Sequence, residues 1–347
     1  MIIDIHGHVS SPAELYAYRS ILTAGRGAHG RAGIKLKTEA VLRAAERHVG
    51  LLDRVGTDVQ FISPRPFQLM HAESPAKIVD WWTRATNDAV AAQVEAFPER
   101  FRGVAALPQA VGTEPEAWLD ELERAVLELG FIGVLINPDP AEGQELGIPR
   151  VGHEWWYPLF AKLEELGVPA LIHAAGCRSD RENYSEHMIT EASRTAISLA
   201  NSRVFEHFPN LSLIVSHGGG SVPYQVGRWR AARYLEYTQV EAYDNKDGEA
   251  PPEIESFDDS LRRLYFDSLV HDRKALALLV QTVGADRVML GTEVPGSGSP
   301  IDPLTGNQYD DLTRSIQSYD WLDEADRALI LEGTARRLYT RLPRSGR

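Results

Sequence analysis

The chain has 347 residues, 43% hydrophobic and 24% charged, enough apolar content for a large soluble core. Its 36 basic and 49 acidic side chains leave a net charge of −13, which argues against nucleic acid or an anionic membrane as partner. One cysteine, Cys177, excludes an internal disulfide and fits a reducing cytoplasm, and no apolar run approaches the roughly 18 residues of a membrane-crossing helix.

The first eight residues, Met-Ile-Ile-Asp-Ile-His-Gly-His, read as a short buried strand with His6 and His8 at its end. Side chains two apart on a strand share a face, so the imidazoles project together. Gly7 between them leaves room for a turn or a close-lying ligand. Neutral imidazoles held this way bind zinc or a similar divalent ion, although an isolated His-x-His is more often a solvated strand end. Residues 9–37 follow, with a helix to about Thr23 and then a Gly-, Arg- and His-bearing stretch. That is long for a loop and is predicted to be either a lid or a partly ordered segment inserted after strand one. Thr38 is predicted to cap a helix to Val55. Strands are expected at Asp58–Ile62, Phe101–Leu107 and Phe131–Ile136, separated by helices at Pro75–Phe97 and Glu114–Leu129. A helix over Trp155–Leu166 leads to a strand ending at His173. One over Ile189–Phe208 leads to a strand ending at His217-Gly218-Gly219-Gly220. After a helix from Val222 and a polar, Pro-bearing connection over 244–256 come strand seven at Leu264–Asp267, a helix at Lys274–Val283 and strand eight at Val288–Gly291. Two helices, Tyr309–Tyr319 and Asp323–Leu331, close the chain.

Eight strands alternating with helices predict an α/β protein, a (β/α)₈ TIM barrel in a single domain over residues 1–347. A doubly wound open sheet would want a glycine-rich phosphate turn where His-Gly-His stands. The barrel puts His6, His8, His173, His217 and Glu293 at strand C-termini, the face where barrel active sites form. That agreement raises the metal reading well above what His-x-His alone supports.

These residues carry a resemblance. Asp4-Ile5-His6-Gly7-His8, His173, His217 and an acid after strand eight resemble the metal-dependent amidohydrolase superfamily, and within it the aminocarboxymuconate-semialdehyde decarboxylase group (Amidohydrolase 2). Ser63-Pro64-Arg65, Asn137-Pro138-Asp139-Pro140, the segment from His217 to Tyr224 with Gly227-Arg228, and Ile301 to Gly306 before Tyr309-Asp310-Asp311 extend the likeness. It also resembles hydratases of the 4-oxalomesaconate type, which share a glutamate where the wider superfamily has an aspartate after strand eight. The resemblance implies one divalent ion, Zn²⁺ first and Mn²⁺ second, held by His6, His8, His173 and Glu293. Strand four ends in Asn137, with no lysine to bridge a second metal.

The implied reaction is a lyase reaction in aromatic-compound degradation, adding zinc-activated water to the C=C bond of an unsaturated oxo-polycarboxylate. Glu293 would orient the water and take its proton, and His217 would act as acid–base group or polarise the substrate. Tyr184 and His187, in the divergent loop 176–188, are candidates for the acid that protonates carbon. Arg65, Asn137 and Arg228 would hold the small carboxylate substrate, with Arg178, Arg181 and Arg194 as further cations. Two alternatives stand beside this: a non-oxidative decarboxylase on the same barrel, and a catalytically inactive ligand-binding barrel. The remaining histidines, His71 and His271 among them, default to structural roles, although these two follow strand ends. Paired tryptophans are expected to pack helices, and a homodimer is expected from related barrels.

Overall fold

Eight apolar runs pair side by side in chain order. They are β1 (Ile3–His8), β2 (Val59–Ser63), β3 (Phe101–Ala106), β4 (Gly133–Ile136), β5 (Ala170–Ile172), β6 (Leu213–Val215), β7 (Tyr265–Asp267) and β8 (Val288–Met289). The structure is a computed structural model that describes residues 1–244 and 255–343; most of the predicted polar connection at 244–256 lies outside the described residues. Every pairing is parallel. The sheet closes on itself where Ile5 N–H donates to the Leu290 carbonyl at 2.9 Å and Glu293 N–H to the His6 carbonyl at 2.7 Å. This is the predicted (β/α)₈ barrel.

The helices are α1 (Ala13–Gly25), α2 (Thr38–Val55), α3 (Ala76–Ala96), α4 (Leu119–Glu123), α5 (Tyr157–Leu166), α6 (Tyr184–Ala200), α7 (Val204–His207), α8 (Val222–Asp244), α9 (Phe257–Leu261) and α10 (Arg273–Val283). Short helices near the C-terminus follow. Among the described residues, none is long and apolar enough to cross a membrane. Side-chain alternation sorts the core into two layers. Ile3, Ile5, Phe61, Val104, Leu135, Leu171, Ile214 and Met289 fill the barrel, closed by Tyr339. Phe101, Val134, Ile172, Val215 and Phe266 face the helices, packing with Trp118, Trp156 and Phe160. The Trp155 and Trp156 rings meet edge-on at 5.0 Å, so this pair packs helices as expected.

Several boundaries differ from the sequence reading. Lys37, not Thr38, is the cap of α2, and it caps through backbone alone. The stretch predicted as one helix over Glu114–Leu129 is a 3₁₀ turn, α4 and a π turn in succession. Helix α6 begins at Tyr184, five residues before the predicted Ile189, because Asn183 and Glu186 form a capping box. It stops at Ala200, and α7 is separate.

Residues 9–37 have a core of their own. Leu15, Tyr18 and Leu22 of α1 pack with Ile78, Trp82 and Ala85 of α3. Arg26 just beyond α1 pairs with Glu73, whose other oxygen takes Arg178 at 2.6 Å, while Arg178 Nε reaches Glu142 at 2.9 Å. This chain of charges ties the segment to loops that follow β2, β4 and β5.

Candidate metal centre

Strict alternation would send His6 and His8 outward with Asp4, because Ile3 and Ile5 point inward. The pairing with β2 shows why they do not. Asp4 lies opposite Gln60 and Gly7 opposite Ile62, so β1 spends three residues where β2 spends two. This bulge turns the end of β1 and re-aims both imidazoles into the mouth. Gly7 is needed for a nearer reason than a ligand: a Cβ there would lie 2.2 Å from Gln60 Cδ. Asp4, beneath the bulge, is buried. It accepts from His6 N–H, Thr292 N–H and the Thr292 hydroxyl, and from Gln60 Nε2 at 2.8 Å. It therefore ties β1, β2 and β8 together below the histidines.

The ligand atoms of His6, His8 and His173 lie within 4.8 Å of one another, and all three residues are buried. Each ring is fixed from behind. His6 Nδ1 donates to Asp267 Oδ2 at 2.7 Å, His8 Nδ1 pairs with Ser63 Oγ at 2.9 Å, and His173 Nδ1 donates to the Ala174 carbonyl at 2.6 Å. For His6 and His173 the acceptor behind the ring requires the proton on Nδ1, which leaves Nε2 as a lone pair facing the cluster. Nε2 of His6 and of His8 are buried without a hydrogen-bond partner. Buried polar atoms are rarely left so, and converging imidazole lone pairs of this kind fit a divalent cation.

Burial pushes the His8 pKa down to about 4. It also holds His173 well below the usual histidine range, helped by the neighbouring rings. At neutral pH both are free to ligate. For His6 burial acts the same way, but the bond and charge of Asp267 outweigh it and the pKa ends raised.

Glu293 follows β8 in left-handed backbone, φ 60°. Its Oε1 is 3.6 Å from His8 Nε2, and its Oε2 accepts from the Ser297 hydroxyl at 2.8 Å. Burial opposes its charge, yet the imidazoles around it keep the carboxyl well below its ordinary pKa, so it is ionised. His217 begins the turn after β6 with φ 52°. Its Nε2 lies 3.2 Å from His173 Nε2. Since His173 carries its proton on Nδ1, His217 must donate.

The other predicted residues are placed unevenly. Arg65 follows β2, donates to the Pro295 carbonyl at 3.3 Å, and is near enough for its charge to act on His8 and Tyr184. Tyr184 opens α6 with its ring edge on Phe67, and 41% of it stays exposed. Its hydroxyl pKa is raised, by burial and by the charge of Glu293. His187 is fully buried one turn on, with Nδ1 3.2 Å from Glu182 Oε2. Asn137 spends its amide inside the protein: Nδ2 donates to His71 Nδ1 at 2.9 Å, and Oδ1 accepts from Asp139 N–H at 3.1 Å. Arg228 is exposed on α8. Arg178 and Arg194 are engaged by Glu73 and Glu142 and by Glu191. Asp267 and Ser297 are the residues that sequence reasoning missed. Asp267 could have been found as a carboxylate at a strand C-terminus; Ser297 had no local signal.

Comparison with known proteins adds four findings. Residues 3–341 match the family described as Amidohydrolase. Among curated proteins, the chain is 30% identical to 2-keto-4-carboxy-3-hexenedioate hydratase of Sphingobium sp. (strain NBRC 103272 / SYK-6), covering 99% of this chain and 97% of that one. It is 28% identical to 2-amino-3-carboxymuconate-6-semialdehyde decarboxylase of Dictyostelium discoideum, over 82% of this chain and 73% of that one. Among solved structures, 4-oxalomesaconate hydratase from Rhodopseudomonas palustris superposes with a TM-score of 0.85 at 29% identity, covering 99% and 96% of the two chains.

Proposed function

The chain belongs to the amidohydrolase family, and from that premise we propose that it is a metal-dependent lyase that hydrates the C=C bond of an unsaturated oxo-polycarboxylate in aromatic-compound degradation. The observation that carries the reading is the buried group of His6, His8 and His173 with the ionised Glu293 carboxylate 3.6 Å from one of its nitrogens. The full-length likeness to two hydratases supports it.

His6, His8, His173 and Glu293 would hold one divalent ion, Zn²⁺ first and Mn²⁺ second. Such an ion supplies Lewis acidity, bringing the pKa of water from about 15.7 towards about 7 and polarising a carbonyl. Glu293 accepts the proton that the attacking water loses. His217, as a donor from Nε2, faces the oxygen on which negative charge develops. Tyr184 keeps its proton through the neutral range and is the acid for the carbon centre. Arg65 clamps a substrate carboxylate. His187, buried against Glu182, supports the first turn of α6 beneath Tyr184. The single Cys177 supports a cytoplasmic setting, and the exposed Tyr224 and Tyr234 of α8 support association as a homodimer, which light scattering at micromolar concentration tests.

The deciding experiment incubates the purified enzyme with oxo-dicarboxylates and oxo-tricarboxylates in ¹⁸O-water, following label and CO₂ together. Label on carbon without CO₂ is expected. CO₂ without carbon-bound label would make the chain a decarboxylase like its more distant relative. Glu293→Gln should lower hydration by more than the ~10²–10⁴-fold typical of general-base catalysis alone. Elemental analysis should give one ion per chain, lost in the His6→Ala/His8→Ala double variant.

A further inference from the structure

Glu293 offers two carboxylate oxygens, and the chain treats them differently. Oε1 faces His8 Nε2, whereas Oε2 accepts from the Ser297 hydroxyl at 2.8 Å. A carboxylate can only accept, so the one proton of Ser297 is committed to Glu293. His271 Nε2 lies 3.2 Å from the same hydroxyl oxygen, and with that proton committed the imidazole must be the donor. A ring N–H pointed at Ser297 Oγ leaves the hydroxyl hydrogen only one direction, towards Glu293.

Two further observations show that this arrangement is held in place. His271 and Glu293 are both non-glycine residues in the left-handed region, with φ of 52° and 60°. Such backbone is strained for a residue with a Cβ and persists where surroundings over-determine it. Gly298 lets the loop close on His271: a Cβ there would lie 2.6 Å from His271 Cε1 and 2.6 Å from Asp310 Cβ. Gly298 thus leaves room for His271 and Asp310 alike, and His271 Nδ1 is buried without a hydrogen-bond partner among the described residues, so the ring's one bond is the one from Nε2 to Ser297.

We propose that Ser297 and His271 are positioning residues that fix Glu293 Oε2, so that Oε1 alone is presented to the histidine cluster. This rests on the reading of Glu293 as part of the metal centre.

The test measures Zn²⁺ affinity by chelator competition, and kcat and KM separately, for Ser297→Ala, His271→Ala, the double variant and His271→Gln, with Glu293→Gln as control. Ser297→Ala should weaken metal binding or kcat by roughly 10- to 100-fold with KM little changed, the usual cost of losing a partner behind a ligand. His271→Ala should fall in the same direction, His271→Gln should rescue it through an N–H near the Nε2 position, and the double variant should be no worse than Ser297→Ala. Wild-type affinity and kcat in Ser297→Ala, or losses that multiply in the double variant, would overturn the proposal. If Ser297→Ala does not fold, His271→Ala against His271→Gln carries the same test: rescue supports it, and equal values overturn it. An unchanged affinity in Glu293→Gln would instead overturn the reading of Glu293 itself, and the chelator measurement needs no substrate.

Discussion

Asp267, Ser63 and the Ala174 carbonyl do the same work for three different rings, each engaging Nδ1 so that Nε2 faces the cluster. Only Asp267 brings a charge, and it is also tied to Gly218 N–H and Leu269 N–H through Oδ1. Asp267→Asn removes that charge and can offer an N–H where an acceptor is needed, inviting the wrong tautomer of His6. Metal affinity should fall about 10- to 100-fold by chelator competition, with the fold intact by circular dichroism. An unchanged affinity would remove Asp267 from the centre. At this scale the sequence displayed the three clustered histidines, because strand-end histidines need only periodicity to be seen. It hid their supports: Ser63 serves His8 across 55 residues and Asp267 serves His6 across 261, a closeness only the closed barrel creates.

Among the elements, strands were readable nearly to their ends, since buried runs flanked by turn residues have few alternatives. Helix α6 was misplaced for a definite reason. Apolar periodicity becomes clear only near Met188 and Ile189, while the chain starts the helix at Tyr184 through Asn183 and Glu186, an N-x-x-E signal lying in polar sequence. The cap places Tyr184 and His187 in the first turn of a helix rather than in a free loop, which bears on the acid proposed for the carbon centre. Asn183→Ala should cost about 0.5–2 kcal/mol locally. Hydrogen exchange at 184–187 should quicken while amides of β3 to β6 keep their protection; unchanged protection would show that packing alone holds the turn. The bulge in β1 was not legible at all, since nothing in Asp-Ile-His-Gly-His says where an extra residue will be absorbed. The ion-pair chain from Arg26 to Glu142 likewise joins residues far apart in sequence.

Across the whole molecule, acid should act through buried histidines outside the proposed metal centre. His71 is fully buried, donates from Nε2 to the Leu107 carbonyl and accepts on Nδ1 from Asn137; burial pushes its pKa down to about 4. His48 is pushed to about 4 the same way, between Gln60, Gln93 and Ser10. Both folded values lie below the unfolded value of about 6.5. The folded state therefore refuses a proton that the unfolded state accepts, and stability present above pH 6.5 is lost as pH falls towards 4. Each site contributes on the order of 3 kcal/mol over that full range and roughly 2 kcal/mol by pH 5. Global charge pulls the other way: at −13, acidification relieves self-repulsion and by itself would favour the compact state. A fall in the urea midpoint between pH 7 and pH 5 thus points to buried groups. His71→Asn keeps an acceptor near the Nδ1 position but cannot titrate. It should be less stable than the parent at pH 7, yet lose about 2 kcal/mol less on going to pH 5. Proton competition at the proposed metal centre would affect parent and variant alike and cancel in that difference. Parallel urea midpoints for the two proteins across this range would show that His71 is not a source of the acid sensitivity.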